Sequence, residues 1–421
     1  MMTPIYFISK AVDFVLKHKR LFILLVVALF VGVGISVLCR GGWGPPPRRT
    51  DLTVFLRAAE AIQSGENIYN VTNDRGWYYV YLPLLAILLT PFTRLPLLLN
   101  TSLWYALSVA SLCGAVLLSA RLAKDRPTGM RAAVMAALFC IPPMVESMTR
   151  GQVGVMSVFL TIAILYLYVQ KKTVWTGILF AFSVVLKTSP LAPLVVFFLV
   201  KREWKVLIAA LAGVLFFAFI FPSLVLGAGL NWSYMNQLHS TLNFAISSTR
   251  DQSPLWSQLA TPIAWDNQSL YAVFTRWACP TETDLLARGN FLIKWGTRLF
   301  GTLALLALAF VSRRKRSDIS QKRLMLEYSL FPILMLLVSP VSEIHHYATF
   351  FALFFPVFLY LDELPRNSAS YQALAWSSLI AGITLALGYS KTVGMWGLPA
   401  VGALIFWCVS FIFLTRLKNR E

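Results

Sequence analysis

Between Leu21 and Thr415 apolar runs recur too closely for an aqueous domain to fit between them, and this constrains the chain more than any other feature. A helix needs about 20 apolar residues to cross a bilayer core, fewer where protein surrounds it. The candidate passes are 21–39, 97–120, 130–148, 153–170, 174–188, 190–200, 205–228, 290–311, 325–339, 347–361, 372–390 and 394–415. They predict an all-α integral membrane protein of about twelve transmembrane helices. The segments 174–188 and 190–200 are short for two full crossings and read as a broken hairpin. Only 13% of the 421 residues are charged, against about 25% in an ordinary soluble domain. One polytopic unit over 1–421 is therefore expected, with two long connecting loops at 40–96 and 229–289.

Lys17-His18-Lys19-Arg20 before the first run imitates a signal peptide. The run is long enough to span and shows no clear small-residue cleavage site, so it reads as an uncleaved first helix. Placing the N-terminus inside puts most of the 37 Lys and Arg residues on short cytoplasmic loops, as the positive-inside rule requires. Both termini are then cytoplasmic and the two long loops extracytoplasmic. The net charge of +19 is assigned to topology, with no nucleic-acid partner. The five cysteines have no metal or redox spacing, so neither structural zinc nor a required disulfide is expected.

The unusual polar residues gather at the predicted outer face. Asp51 opens a stretch to Gly65 that puts Leu52, Phe55, Leu56, Ala59 and Ile62 on one helix face, the pattern of a short interfacial amphipathic helix. Asp51 is either its cap or, at the membrane boundary, a general base. Tyr69, Trp77, Tyr78, Tyr79 and Tyr81 suit a headgroup belt or a stacking surface for a sugar. The run after Pro83, ending at Pro91, is too short to span.

Glu146 and Arg150 are spaced for an ion pair on one helix face, a structural pair or a ligand site. Gly151 and Gln152 follow in a turn and can donate to sugar or phosphate. Lys187 interrupts the broken hairpin before Pro190 and Pro193; it either snorkels or is a functional intramembrane cation. His345 and His346 follow Ser339-Pro340-Val341-Ser342-Glu343. Adjacent histidines rarely share one metal, and with only Glu343 as a third ligand no metal site is expected. They fit hydrogen bonding or charge pairing with an anion. An outward-facing site has no access to cytosolic nucleotide sugars, so a transfer reaction there needs a donor carried on a lipid.

Taken in order, Asp51 with Gly65 and Tyr69, Tyr81-Leu82-Pro83, Gly151-Gln152, Lys187-Thr188-Ser189-Pro190, Asn267-Gln268-Ser269-Leu270, and Ser339-Pro340-Val341-Ser342 with His345-His346 resemble glycosyltransferase family 87. This family of the GT-C superfamily includes polyprenol-phosphate-mannose-dependent α-mannosyltransferases. The likeness runs over about residues 50–350. Two positions depart from the usual pattern: Leu82 stands where a proline is expected, and Gly154 where an asparagine often occurs.

The resemblance implies a GT-C-type bundle with interfacial helices in the first outer loop. It implies a polyprenyl-phosphate hexose donor, with mannose the expected sugar, and a lipid or glycan acceptor. It further implies an inverting transfer without cofactor or metal, on the outer side of a bacterial cytoplasmic membrane. Asp51 is carried over as the base. Lys187, Arg150, His345 and His346 are candidates for the donor phosphate, and Gln152, Tyr81, Asn267, Gln268 and Glu146 for the sugar or acceptor. The rivals are a secondary transporter, disfavoured because the halves show no internal repeat and the polar residues avoid the midplane, and a lipid-linked oligosaccharide ligase or polymerase.

Overall fold

A computed structural model of the chain describes residues 4–44, 47–48, 50–247, 261–279, 281 and 290–417. It is helical: among the described residues the only extended pairings are isolated bridges, Thr72 with Tyr78 and Asn267 with Glu343. The chain opens with α1 (Pro4–Lys17) and α2 (Lys19–Leu38), then α3 (Leu52–Ser64) and α4 (Pro83–Leu89). It continues through α5 (Leu97–Leu122), α6 (Arg126–Phe139), α7 (Ile141–Thr149), α8 (Gly154–Val169) and α9 (Thr173–Leu186). After the short α10 (Thr188–Leu191) and α11 (Leu194–Val200) come α12 (Trp204–Val214), α13 (Phe221–Leu226) and α14 (Ala228–Ser247). The last third holds α15 (Leu270–Ala278), α16 (Phe291–Val311), α17 (Gln321–Val338), α18 (Phe351–Glu363), α19 (Ala369–Leu387), α20 (Lys391–Met395) and α21 (Leu398–Arg416).

Every apolar run read from the sequence is helical. Among the described residues seven helices are long and apolar enough to span, or eight if α6 and α7, bent by 62° at Cys140, form one pass. The other apolar runs form shorter helices, apart from the 18-residue α17. Pro142 and Pro143 cause the bend by withholding backbone donors at the start of α7. The segments expected as a broken hairpin, 174–188 and 190–200, are α9 and the short α10 and α11, and their course is fixed by α9 packing on α12. Gly177 lies against Val206 and Ala210, and Gly213 against Ala181, so the two helices run parallel and residues 187–203 carry the chain back between them.

Burial ranks the helices. In the most apolar 18-residue stretch of Ile344–Glu363, 94% of the residues are buried, against 17% in the corresponding stretches of Arg20–Trp43 and Phe291–Val311. A helix apolar all round sits at the centre, and Phe350, Phe354 and Phe358 there pack with Phe139 and Phe406. The outer helices present Leu, Ile and Val to their surroundings, as lipid-facing surfaces do. The chain is a multi-pass membrane protein. The second long loop carries α14 and α15; its residues 248–260, 280 and 282–289 lie outside the described residues.

At the end of the bundle where α6 begins and α18 ends, charges are paired. Arg131 holds Asp13 at 3.2 Å and Asp362 at 2.7 Å. Lys201 donates to Glu327 and to the carbonyl of Arg314, and Arg323 joins Glu327 at 2.9 Å. The candidate site occupies the other end of these helices.

Candidate active site

Helix α3 is anchored where the turn after α7 meets its first residues. Gly151 has φ +67°, and a β-carbon there would stand 2.5 Å from Thr50 Oγ1 and 2.9 Å from Leu52 Cβ; only glycine permits both the conformation and the approach. The Asp51 amide donates to the Arg150 carbonyl at 2.7 Å, and the Thr50 hydroxyl does so at 3.2 Å. Thr50 Oγ1 also accepts from the Leu52 amide at 3.3 Å. Thr50 thereby takes the first amide of the helix, and Asp51, although it holds the N-cap position, makes no cap hydrogen bond with its carboxylate. Helix α3 ends at Gly65 with φ +74°, as its sequence requires.

Freed from capping, Asp51 accepts from Gln152 Nε2 at 2.6 Å and lies 3.7 Å from Arg150 Nε. Tyr81 fixes the Gln152 amide by donating to its Oε1 at 3.0 Å. Asp51 is 5% exposed. Burial raises its pKa above the usual carboxylate range, while Arg150 and the Gln152 hydrogen bond pull it back.

Asp51, Gln152 and Tyr81 form one wall of a cavity of about 280 Å³; Lys187, His345, His346 and Glu343 line it too, with Trp77 and Tyr78. Lys187 stands at the extended break between α9 and α10. Its Nζ is buried with no hydrogen-bond partner. The carboxylates of Asp51 and Glu343 act on it, yet no ion pair to it forms among the described residues. Neither ring nitrogen of His345 has a hydrogen-bond partner, although Nδ1 is 3.6 Å from Glu343. His346 Nδ1 accepts from the Glu343 amide at 3.1 Å, so a neutral His346 carries its proton on Nε2.

Six of the ten expected site residues thus share one cavity: Asp51, Tyr81, Gln152, Lys187, His345 and His346. The other four are outside its lining. Arg150 is spent on carboxylates: it pairs closely with Glu343, reaches Asp51, and meets Glu146 only at 4.0 Å. The Glu146–Arg150 pair is present, but as the outermost of the three. Asn267 donates to the Pro340 carbonyl at 3.1 Å and accepts from the Ser342 amide at 3.1 Å. Gln268 donates to the carbonyls of Trp265 and Gly394 and its own carbonyl accepts from Tyr347. Both brace the loop that carries Glu343.

Glu343 was read from the sequence only as a possible metal ligand. It is the hub that joins Arg150, His345 and His346, and its signal was its place two residues before the histidine pair. Asp266, missed entirely, has its pKa pushed up to about 6 by burial and by Glu343. Gly154 has a physical reason: a β-carbon there would meet Ser147 Oγ at 2.5 Å and Ser147 Cβ at 3.2 Å, so an asparagine would require Ser147 to move. Among the described residues no group of three or more His, Cys, Asp or Glu side chains is arranged to hold a metal ion.

A model of glycosyltransferase family 87 matches residues 79–340, spanning Tyr81, Gln152 and Lys187. Among solved structures, ArnT from Cupriavidus metallidurans bound to undecaprenyl phosphate is similar, with 16% identity, 94% of this chain and 77% of that chain covered, and a TM-score of 0.44. The same protein in the apo state gives 15%, 94%, 78% and 0.43. No curated protein sequence matches the chain.

Proposed function

The chain belongs to glycosyltransferase family 87, and on that premise we propose that it moves one hexose, mannose, from a polyprenyl-phosphate sugar to a lipid or glycan acceptor outside the cytoplasmic membrane. The observation that carries this reading is that a carboxylate with no capping duty, Asp51, and a buried cation with no partner, Lys187, line one cavity.

In this mechanism Asp51 takes the proton of the acceptor hydroxyl as that oxygen attacks the anomeric carbon. The bond from that carbon to the phosphate oxygen breaks, its electron pair leaves with the lipid phosphate, and one displacement inverts the centre. The base contributes about 10² to 10⁴ in rate. The charge growing on the phosphate meets Lys187, a contact worth on the order of 4 kcal/mol at 4 Å and an effective dielectric of 20. The Nε2–H of a neutral His346 is a second donor, and His345 a third. No metal enters this reading.

A cavity of about 280 Å³ falls just under the usual size of ligand pockets, which run from about 300 to 1,000 Å³. It suits one sugar and its phosphate, which favours monosaccharide transfer over ligation of a preassembled glycan. An apolar groove of about 520 Å³, lined by Leu52, Leu56, Leu103, Trp104 and Phe159, shares Leu186, the neighbour of Lys187, with the lining of the cavity. It supports an isoprenoid tail on the donor.

The test supplies purified protein with radiolabelled polyprenyl-phosphate mannose and extracted membrane lipids. Transfer of single mannose residues with inversion is expected. Preference for a glucosyl donor would correct the sugar, glycan transfer would favour the ligase, and counterflow without a new glycosidic bond would replace the enzyme with a transporter.

A further inference from the structure

The end of the bundle remote from Asp51 has a second polar cavity, of about 200 Å³, enclosed by α1, the start of α6 and the turn between α18 and α19. Its charged lining is Lys10, Asp13, Arg131, Asp362 and Arg366. The two carboxylates are both taken by Arg131, at 3.2 and 2.7 Å. That leaves Lys10 and Arg366 with no carboxylate among the described residues. Both gather at one aromatic ring, Arg366 at 3.9 Å and Lys10 at 5.8 Å from the centre of Tyr6. Arg131 adds a further unmet donor, since its Nε is buried without a hydrogen-bond partner. A cavity with two unpaired cations and an idle guanidinium N–H, whose acids are already neutralised, is built for an anion.

The setting indicates which anion. Helix α1 buries Ile5 and Val12 on one side and exposes Phe7 and Phe14 on another, the form of a helix lying in the headgroup layer. Phe358, Leu361 and Leu364 continue the cavity wall as apolar surface. Basic side chains at that depth attract the anionic lipids of a leaflet.

We propose that Lys10 and Arg366, with Arg131 behind them, form a binding site for a phosphate monoanion or diester, presented by the headgroup of an anionic phospholipid or by free phosphate. The site is separate from the transfer cavity. When loaded it adds to the contact that Arg366 and Tyr6 already make between the α18–α19 turn and α1.

Native mass spectrometry of the full-length protein, titrated with phosphatidylglycerol, phosphatidylcholine or inorganic phosphate, tests this. Phosphatidylglycerol should be retained at least tenfold more tightly than phosphatidylcholine. The double variant Lys10→Gln/Arg366→Gln should lose at least tenfold of that retention, and Lys10→Arg should keep it. Both replaced side chains are exposed, so folding should survive; if the double variant fails to fold, Lys10→Gln alone should lose retention several-fold. Displacement by millimolar inorganic phosphate would identify the free ion as a sufficient ligand, and resistance to it would identify the lipid. Equal retention of the two lipids, or retention undiminished in the variants, overturns the site.

Discussion

Two lysines at the ends of short helices look alike in the sequence and differ in the fold. Lys201 follows α11 and Lys187 follows α9, and each comes after an apolar run. Lys201 is wholly buried and satisfied, with Glu327 and the Arg314 carbonyl as partners and Arg323 completing the cluster. Lys187 has its Nζ buried with no partner and a cavity in front of it. Desolvating an ammonium costs several kcal/mol unless partners repay it. A repaid cation is part of the scaffold, whereas an unrepaid one stores affinity for an anion that is yet to arrive.

The comparison breaks most directly at the opposite wall of the cavity. Asp51→Asn keeps the shape and the Gln152 contact region but removes the base, so turnover should fall by about 10² to 10⁴ with donor binding nearly intact. Steady-state transfer measured beside lipid-donor binding checks both halves, and near-normal turnover would remove Asp51 from the chemistry. Next in size is Lys201→Met, which leaves Glu327 with Arg323 as its one remaining cation in a buried cluster. A buried pair broken on one side costs about 3 to 5 kcal/mol when the remaining charge is left alone. With Arg323 still on Glu327 the loss should be smaller, read as a lower midpoint in detergent unfolding, while the surviving folded fraction should transfer sugar at the normal rate.

Lys187→Met should do the reverse. It removes an unpaired buried charge, so the unfolding midpoint should hold or rise, while donor affinity drops on the order of tenfold or more, as losing one charge-assisted contact of about 1.5 to 3 kcal/mol implies. If Lys187→Met destabilised the protein as much as Lys201→Met and left donor binding unchanged, the contrast between the two lysines would be empty.

The helices were legible because length and apolar runs report membrane crossing directly, and Gly65 announced the end of α3. The site was legible in part. Asp51, Lys187 and the histidine pair stood out as costly polar groups at predicted pass ends. What sequence did not reveal was partnership. Arg150 and Glu343 are 193 positions apart, and nothing local tells a guanidinium committed to carboxylates from one open to phosphate. The same holds for Asn267 and Gln268, whose amide nitrogens serve backbone carbonyls in neighbouring turns, a commitment that no local signal announces. Thr50 and Asp51 are both of the residue types that cap, and only the fold shows the Leu52 amide taken by Thr50 and the Asp51 carboxylate free of any cap hydrogen bond.

The smallest expected effect tests how the first wall is tuned. Asp51 must be ionised to accept a proton, and its raised pKa comes first from burial, opposed by Arg150 and by the Gln152 hydrogen bond. Activity should therefore fall as the pH drops through a value above the ordinary carboxylate range. Gln152→Leu removes a bond that favours the ionised form, so the acid limb of the rate profile should move to higher pH. With a charge-assisted bond worth about 1.5 to 3 kcal/mol, the loss should be on the order of tenfold near neutrality and shrink as the pH rises. Tyr81→Phe frees the Gln152 amide without removing it and should shift the limb in the same direction by less. A limb that stayed in place in both variants would mean that the titrating group is not the carboxylate Gln152 touches.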